Sequence, residues 1–196
     1  KTRGRAMQRA VPVGAGAMAA ILGLDFDAVR AIAEDAAEGE VCDIANDNGG
    51  GQFVVSGDAA AIERAAGLAR ERGAKRSIML PVSAPFHCAL MAPAADVMAE
   101  ALGAIEIAEP AVPVVANVTA EAVADPDIIR DLLVRQVTAM VRWRESVLAM
   151  GAAGVGQLVE VGAGNVLKTL TRRIDRELEA LAVGTVEEID QFLRAL

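Results

Sequence analysis

Strand-like and helix-like stretches alternate at the start of this chain in an order that few folds can accommodate. Apolar runs bounded by glycine or by polar turn residues predict strands, and they cover residues 15–22, 41–45, 52–55 and 77–82. Apolar residues at helical spacing, between an aspartate that can cap the first turn and a glycine that can end the last, predict helices at residues 25–39 and 58–73. The order is therefore βαββαβ, which is that of a ferredoxin-like α+β subdomain.

After residue 80 the pattern changes to longer helices separated by single strands. Helices are predicted at residues 91–103, 125–138, 142–150 and 165–182, and buried strands at residues 112–118 and 155–161. Strands that alternate with helices are typical of a parallel sheet covered on both faces. We therefore predict the α/β class, with a parallel-sheet region after the βαββαβ segment.

Composition excludes several classes of protein. The chain has 19 Lys and Arg against 27 Asp and Glu, a net charge of −8, and only 3% aromatic residues. Nucleic-acid binders need a basic face and aromatic stacking platforms, so we expect no nucleic-acid partner. No apolar run has the length of a membrane span, and 54% hydrophobic residues are too many for a disordered chain. These properties favour a soluble cytoplasmic protein with no membrane partner.

Metal and disulfide sites are not expected either. The two cysteines, Cys42 and Cys88, are far apart in the sequence, and the chain has one histidine. Zinc sites need several closely spaced Cys or His ligands, and disulfide scaffolds carry more cysteines. We predict two reduced, buried thiols and no metal.

His87 is the only histidine, and it lies in the segment that follows the apolar run 77–82. A lone histidine is more often a hydrogen-bonded structural residue than a catalytic one. Open α/β folds, however, place functional groups in the loops after their strands. A neutral imidazole there can act as a general base toward a hydroxyl nucleophile, and we predict this role for His87.

Two other segments allow two interpretations each. The basic segment with Arg3 and Arg5 is either solvated surface or an arginine fork that binds a substrate carboxylate through two hydrogen bonds. The turn Gly162-Ala163-Gly164 after a predicted strand could cradle a phosphate. It lacks the rest of a dinucleotide-binding fingerprint, so a tight turn is the simpler explanation.

Several segments together resemble the malonyl-CoA:acyl-carrier-protein transacylase family, which loads malonyl groups in bacterial fatty-acid synthesis. They are RGRAMQRAVPVGAGAMAAILGL, NDNGGGQFVVSG, AKRSIMLPVSAPFHCALM, VPVVANVTA, LVRQVTAMVRW and VEVGAGNVLKTL. These segments span nearly the whole chain in the order of the family. The resemblance implies a large hydrolase-like α/β domain, here residues 1–13 and 81–196, with a small inserted ferredoxin-like subdomain, here residues 14–80.

The resemblance also implies the site residues. His87, in SAPFHC, matches the catalytic histidine that is the partner of the family's nucleophilic serine. Arg3 matches the arginine that pairs with the free malonyl carboxylate. Gln136, in LVRQV, matches the glutamine beside the histidine, where main-chain carbonyls orient the ring. Phe86 precedes the histidine, as in many malonyl-selective members. The implied reaction requires no metal or redox cofactor.

The chain departs from the family at the nucleophile. The family carries its serine in a G-H-S-x-G turn between strand and helix. No G-x-S-x-G occurs here, and the serines present are Ser56, Ser77, Ser83 and Ser146. The chain therefore resembles a transacylase that begins just after its nucleophile helix. We expect the complete enzyme to transfer malonyl from malonyl-CoA to the phosphopantetheine thiol of acyl carrier protein through an acyl-serine, and the isolated chain to be inactive.

Partners and alternatives follow from this interpretation. Because acyl carrier proteins are acidic, docking on this acidic chain needs a local basic patch. Candidate basic residues are Lys75 and Arg76, with Arg70, Arg72, Arg172 and Arg173; ordinary solvated charges are the alternative explanation. The chain could instead be an acyltransferase domain of a polyketide or multifunctional fatty-acid synthase, or a non-catalytic fragment that binds acyl carrier protein or CoA. We expect a monomer for the complete protein.

Overall fold

The structure is a computed structural model that describes residues 1–195. The chain divides into two compact units, one comprising Lys1–Trp143 and the other beginning at Arg144. The predicted division at residues 13/14 and 80/81 stays a prediction. Among the helices of residues 1–195, none combines the length and the hydropathy that a membrane crossing requires.

The first unit contains the βαββαβ segment, preceded by one helix and followed by shorter elements. In chain order its elements are α1 (Thr2–Ala10), β1 (Gly16–Leu22), α2 (Phe26–Ala37), β2 (Cys42–Asp47), β3 (Gln52–Asp58), α3 (Ala59–Glu71), β4 (Arg76–Met79), a 3₁₀ turn (Ala89–Met91), α4 (Ala92–Gly103), β5 (Val114–Ala116), β6 (Glu121–Val123) and α5 (Pro126–Arg135). Helix α6 (Trp143–Ala152) begins at the last residue of the first unit and continues into the second, which also contains β7 (Gln157–Val161), α7 (Val166–Ile174), β8 (Glu179–Val183) and α8 (Val186–Ala195).

Strands β1 to β4 form one four-stranded sheet in the order β2-β3-β1-β4, and every pair in it is antiparallel. Helices α2 and α3 pack together and against this sheet. The core between them is built from buried apolar side chains, including Ile21, Ile32, Val55 and Ile62. The predicted order of elements is confirmed, because each helix presents apolar residues at helical spacing to alternating apolar residues of the strands.

Strand lengths in this sheet differ from the prediction. Pairing with β3 extends β2 through Asp47, and pairing with β1 extends β3 to Asp58. Strand β4 is shorter than predicted, because only residues 76–79 pair with β1. The turn between β2 and β3 closes where the Gln52 amide donates to the Gly49 carbonyl at 3.0 Å, and it occupies residues 48–51.

Helix α1 occupies the N-terminal segment, for which no element is predicted above. It buries Ala6 and Met7 in a second apolar cluster with Met91 and Ala94 of the segment that follows His87. This packing joins the helix that carries Arg3 to the segment that carries His87.

The predicted buried strand at residues 112–118 is wrong. Only Val114–Ala116 forms a strand, and it pairs antiparallel with β6. The amide of Ala120 donates to the Ala116 carbonyl at 2.7 Å, so a tight turn reverses the chain after three residues. Val112 is 72% exposed and Val114 is 44% exposed.

The predicted helix at residues 165–182 is wrong beyond Ile174. The backbone becomes extended at Asp175, whose carboxylate accepts from the Glu177 amide at 2.9 Å. Residues 179–183 form β8, which pairs with β7 in parallel. Within residues 1–195, these two strands make up the parallel sheet. Pairing with β7 overrides the helix propensity of the Glu, Leu and Ala residues there.

Strand β2 lies at an edge of the four-stranded sheet, and its outer side bonds to the segment after α5. The amide of Val141 donates to the Ala45 carbonyl at 2.8 Å, and the amide of Asp47 donates to the Val141 carbonyl at 3.0 Å. This two-bond bridge fixes the loop between Gln136 and Val141 against the sheet.

Candidate active site

A cavity of about 510 Å³ lies beside α1 and contains three of the residues predicted for the site. Its lining residues are Arg3, Gly4, Met7, Met18, Asn46, Val54, Leu80, Val82, Phe86 and His87. Apart from Arg3, Asn46 and His87, no lining residue within the described chain carries a polar side chain. The cavity therefore offers one cation and one imidazole in apolar surroundings, as ligand sites commonly do.

His87 lies on a constrained turn. Its φ of 61° is in the left-handed region, which side chains other than glycine adopt at a cost of about 1–3 kcal/mol unless neighbouring structure holds them there. Pro85 is fully buried and rests on Gly16, where a Cβ atom would lie 2.3 Å from the proline Cγ. The Cys88 thiol donates to the Pro85 carbonyl at 3.1 Å. Gly16 must therefore be glycine for this turn to form.

The imidazole is oriented by a main-chain carbonyl. Nδ1 of His87 lies 3.0 Å from the carbonyl oxygen of Gln136. Since a carbonyl can only accept, Nδ1 carries the proton and Nε2 keeps its lone pair, and this assignment follows from the acceptor. The arrangement leaves Nε2 free to take a proton.

Gln136 supports the loop that supplies this carbonyl. Its side-chain Nε2 donates to the carbonyls of Ala139 at 2.8 Å and of Met140 at 3.3 Å. Its Oε1 is buried and accepts no hydrogen bond from residues 1–195. The Gln136 side chain borders a second cavity of about 240 Å³, and Arg3 borders both cavities.

The surroundings lower the pKa of His87 below its ordinary value of 6.5. Burial is the main cause, since it disfavours the charged imidazolium. The carbonyls of Gln136 and Ala139 raise the pKa, whereas the positive charge of Arg3 lowers it further. The imidazole is consequently neutral at neutral pH, as a general base requires.

Arg3 is exposed and lies in the first turn of α1. Within residues 1–195, no carboxylate lies within ion-pair distance of its guanidinium. Arg3 borders the same cavity as His87, and both interpretations of the basic N-terminal segment stay predictions.

Of the candidate docking residues, Arg70, Arg72, Lys75 and Arg76 are not among the lining residues of this cavity. Lys75 and Arg76 are exposed at the start of β4, which is the sheet edge opposite β2. The Lys75 stem crosses Gly23, where a Cβ atom would lie 2.6 Å from the lysine Cγ. Arg72 pairs with Asp35 at 2.5 Å. The other candidates are Arg70 at the end of α3 and Arg172 and Arg173 in the last turn of α7.

Sequence reasoning missed several lining residues, and Asn46 is the clearest case. It falls between the strands predicted at residues 41–45 and 52–55, but it lies in β2, just after a shift of register between Ile44 and Asn46. No spacing in the sequence marks such a bulge. Met7, Met18 and Val54 are apolar residues whose pattern predicts only burial, so nothing in the sequence distinguishes a cavity wall from the core.

Among the described residues that line the cavity there is no serine, threonine or cysteine. Ser83, the serine closest to His87 in sequence, accepts a hydrogen bond from Gln8 Nε2 at 2.6 Å. The Cys88 thiol is buried, and burial raises its pKa, which makes it a poor nucleophile. His87 also borders another cavity, of about 540 Å³, whose lining includes Thr138. The Thr138 hydroxyl donates to the Arg135 carbonyl at 3.4 Å, so among the described residues that line these two cavities no hydroxyl or thiol is hydrogen-bonded to His87.

Comparisons with known proteins identify close relatives, although no protein-family model matches the chain. The chain is 50% identical over 182 residues to the malonyl CoA-acyl carrier protein transacylase of Escherichia coli strain K12, covering 93% of this chain and 59% of that protein. It is 42% identical over 197 residues to the Bacillus subtilis strain 168 protein of the same name, covering 100% of this chain and 62% of that protein. The chain thus spans about three fifths of the length of these relatives.

Solved structures agree. An acyl-carrier-protein-S-malonyltransferase from Bartonella henselae matches with a TM-score of 0.94 at 53% identity, covering 99% of this chain and 62% of that one. A malonyl-transacylase in complex with a type II PKS acyl-carrier protein matches with a TM-score of 0.95 at 43% identity, covering 99% and 63%. The resemblance stated from the sequence motifs is confirmed by these matches.

Proposed function

We propose that this chain, a homologue of the malonyl CoA-acyl carrier protein transacylases, supplies the general base and the carboxylate-binding arginine for malonyl transfer to an acyl carrier protein. The observation that carries the proposal is the presence of His87 and Arg3 in one apolar cavity. His87 is held there by the Gln136 carbonyl in the tautomer that a base needs.

In the proposed first half-reaction, a serine hydroxyl from outside the described cavity attacks the thioester carbonyl of malonyl-CoA. Nε2 of His87 takes the hydroxyl proton as the new C–O bond forms. When the tetrahedral intermediate collapses, the C–S bond breaks and the imidazolium returns its proton to the departing CoA thiolate. Backbone amides that hold the oxyanion contribute about 3–4 kcal/mol per donor in reactions of this kind.

The second half-reaction reverses these steps with a different thiol. The phosphopantetheine thiol of the carrier protein gives its proton to His87 and attacks the acyl-serine ester. Collapse then returns the proton to the serine oxygen and leaves malonyl on the carrier. The sequence of proton transfers needs one neutral imidazole and no metal or redox cofactor.

Arg3 accounts for the choice of acyl group in this proposal. A guanidinium can bind the free carboxylate of a malonyl group through two parallel hydrogen bonds. An acetyl group has no carboxylate and leaves Arg3 without that partner. Hydrogen bonds to charged groups contribute about 1.5–3 kcal/mol, so the expected preference for malonyl is on the order of 10- to 100-fold. Phe86 and Gln136 complete the proposed substrate site.

The finer description of the fold belongs to the same proposal. We assign residues 14–80 to a ferredoxin-like subdomain, which the strand order β2-β3-β1-β4 with two helices supports. We assign residues 1–13 and 81–196 to a hydrolase-like domain, which the parallel pair β7–β8 supports. Lys75 and Arg76 form the proposed carrier-protein patch. A cytoplasmic location and a monomeric complete protein remain expectations.

Intact mass spectrometry of the protein made from its own gene tests the proposal. After incubation with malonyl-CoA, a protein heavier than 20.3 kDa that gains one malonyl group supports it. Arg3→Gln should lower the ratio of malonyl to acetyl adduct on the order of 10- to 100-fold. Arg5→Gln is the matched control, because Arg5 is also exposed on α1 but does not line the cavity. Equal ratios in both variants would contradict the role of Arg3.

A second candidate function is binding without turnover, as a fragment that holds CoA or acyl carrier protein. The lack of a hydroxyl or thiol among the described residues that line the cavity shared by Arg3 and His87 favours it. The same experiment separates the two functions: a protein of 20.3 kDa that binds malonyl-CoA by calorimetry and gains no adduct is a binding fragment. The acyltransferase domain of a larger synthase would instead give a much heavier gene product that does form the adduct.

A further inference from the structure

Edge strand β2 contacts the His87 turn directly. One carboxylate oxygen of Asp43, in β2, accepts a hydrogen bond from the Ala89 amide at 2.8 Å. Ala89 begins the 3₁₀ turn two residues after His87. The intervening Cys88 has extended backbone angles, with φ −138° and ψ 173°, so fixing the amide of Ala89 limits how the backbone can rotate at His87.

The same strand also holds the acceptor of the His87 hydrogen bond. Two and four residues after Asp43, the backbones of Ala45 and Asp47 bond to Val141. Val141 ends the loop that begins at Gln136, whose carbonyl accepts from His87 Nδ1. Strand β2 therefore holds both partners of the His87 hydrogen bond. Asp43 fixes the turn that carries the donor, His87, and main-chain bonds to Val141 fix the loop that carries the acceptor, the Gln136 carbonyl.

The left-handed backbone at His87 makes this contact consequential. On the N-terminal side of His87, the turn is held by the packing of Pro85 on Gly16, and the bond from the Cys88 thiol to the Pro85 carbonyl spans His87. On the C-terminal side, the bond from Ala89 to Asp43 ties the chain to the sheet. Without the bond to Asp43, the chain after Cys88 would lose this tie to the sheet. The left-handed backbone at His87 could then relax toward ordinary angles, and the imidazole would move away from the Gln136 carbonyl.

We propose that Asp43 is a positioning residue for His87, which acts by accepting the Ala89 amide and so keeps Nδ1 directed at the Gln136 carbonyl. The proposal rests on the proposed role of His87 as general base. Asp43 acts through geometry rather than charge. Its carboxylate raises the pKa of the Cys42 and Cys88 thiols but is not among the groups that shift the pKa of His87.

Nitrogen NMR of the imidazole tests the proposal on the chain as it exists. His87 is the only histidine, so its two ring nitrogens give unambiguous signals at a pH where the ring is neutral. We expect the Nδ1–H tautomer in the parent protein. Asp43→Ala should lose this signature and shift toward the tautomer mixture of free imidazole, in which Nε2–H predominates.

Two variants separate position from charge and from general loss of stability. Asp43→Asn keeps an oxygen acceptor without the charge and should retain the Nδ1–H signature. Asp25→Ala is the matched control, because Asp25 also accepts a backbone amide at 2.8 Å, from Ala28 at the start of α2. It removes a cap from a helix remote in sequence from His87 and should leave the tautomer unchanged.

Ala89→Pro removes the hydrogen bond between Ala89 and Asp43 by removing its donor, the Ala89 amide. This variant tests the proposal even if Asp43→Ala fails to fold. Proline is compatible with the first position of a helical turn, and the extended Cys88 is compatible with a following proline. Ala89→Pro should shift the tautomer as Asp43→Ala does, and the double variant should shift it no further than either single variant.

Retention of the Nδ1–H tautomer in Ala89→Pro or in a folded Asp43→Ala overturns the proposal. Its loss in Asp43→Asn overturns it as well, because that result assigns the effect to charge. These readouts do not require turnover, so they stand apart from the malonyl-adduct experiment. A chain that gains malonyl but keeps its tautomer in Asp43→Ala has the proposed function without this positioning role.

Discussion

Residues 14–80 and the unit that begins at Arg144 both mix helices with strands, yet they bury their apolar residues very differently. Helices α2 and α3 bury four and five residues respectively, whereas α8 buries none. In the second unit, Val161 is 76% exposed and Val166 is 64% exposed. Amphipathic spacing alone therefore does not predict burial, which also requires a neighbouring element to cover the apolar face.

Helix α8 illustrates the point. Val186, Ile189 and Leu193 follow one another at the spacing of a helix face, and all three are exposed. In residues 14–80, by contrast, α2 and α3 contact each other as well as strands of the sheet. The difference teaches that a helix buries its apolar face where more than one neighbouring element covers it.

The largest expected effect comes from removing core volume in residues 14–80. Ile62 is fully buried among α2, α3 and the sheet, so Ile62→Ala should lower the free energy of unfolding by about 2–5 kcal/mol. Leu193→Ala, at a 60% exposed position in α8, should change it by no more than about 0.5 kcal/mol. Urea unfolding followed by circular dichroism measures both, and similar losses would break the contrast between the two regions.

A smaller loss of unfolding free energy is expected where neighbouring backbone leaves no room for a Cβ atom in the sheet. A Cβ atom on Gly57 in β3 would lie 1.9 Å from the Val41 carbonyl oxygen, so Gly57→Ala should destabilise by about 1–3 kcal/mol. Gly67 in α3 has nothing within 4 Å of that position, and Gly67→Ala should stabilise by up to about 1 kcal/mol. Thermal unfolding of Gly57→Ala and Gly67→Ala measures this difference within one region. Stabilisation by both changes would contradict the β2–β3 register.

The smallest effect concerns pH. The pKa of His87 is lowered in the folded protein, so the unfolded chain binds more protons below about pH 6.5. The free energy of unfolding should therefore decrease as pH falls from 7.5 to 5.5, and His87→Asn should reduce this decrease. Asparagine suits the variant because it tolerates the left-handed backbone at this position.

Amide hydrogen exchange locates the pH effect. We expect the change with pH in amides of the first unit, since the second unit contains no histidine. An equal change of exchange rate with pH in residues 144–195 would assign the pH dependence of stability to carboxylates. The same pH dependence of the free energy of unfolding in His87→Asn would lead to the same assignment.

The sequence predicts residues 14–80 well because each element there satisfies a local pattern and a nearby partner at once. Asp25 caps α2 as expected, accepting the Ala28 amide at 2.8 Å. Prediction fails at residues 175–182, where the expected helix has ended and residues from Glu179 onward form strand β8 by pairing with β7. Propensity describes a residue in isolation, and the hydrogen bonds of a strand partner outweigh it.

Prediction of the site has a similar limit. The residues Arg3, Phe86 and His87 were named from motifs, and the structure brings them to one cavity; their roles stay predictions. Asn46 and Asp43 could not be found this way, because their positions depend on a bulge in β2 and on an edge that faces the His87 turn. Such relations arise between segments that are distant in the chain, and spacing does not encode them.

The position of β2 also bears on recombination between related sequences. A chimera that takes residues 14–80 from another parent receives β2 from one source and its partners Ala89 and Val141 from the other. The bonds to Val141 join main chain to main chain, so they survive any choice of side chains except proline at the donors. The bond from the Ala89 amide depends on a side-chain acceptor at position 43. The residue at that single position therefore decides whether an exchanged segment can still form the hydrogen bond to the His87 turn.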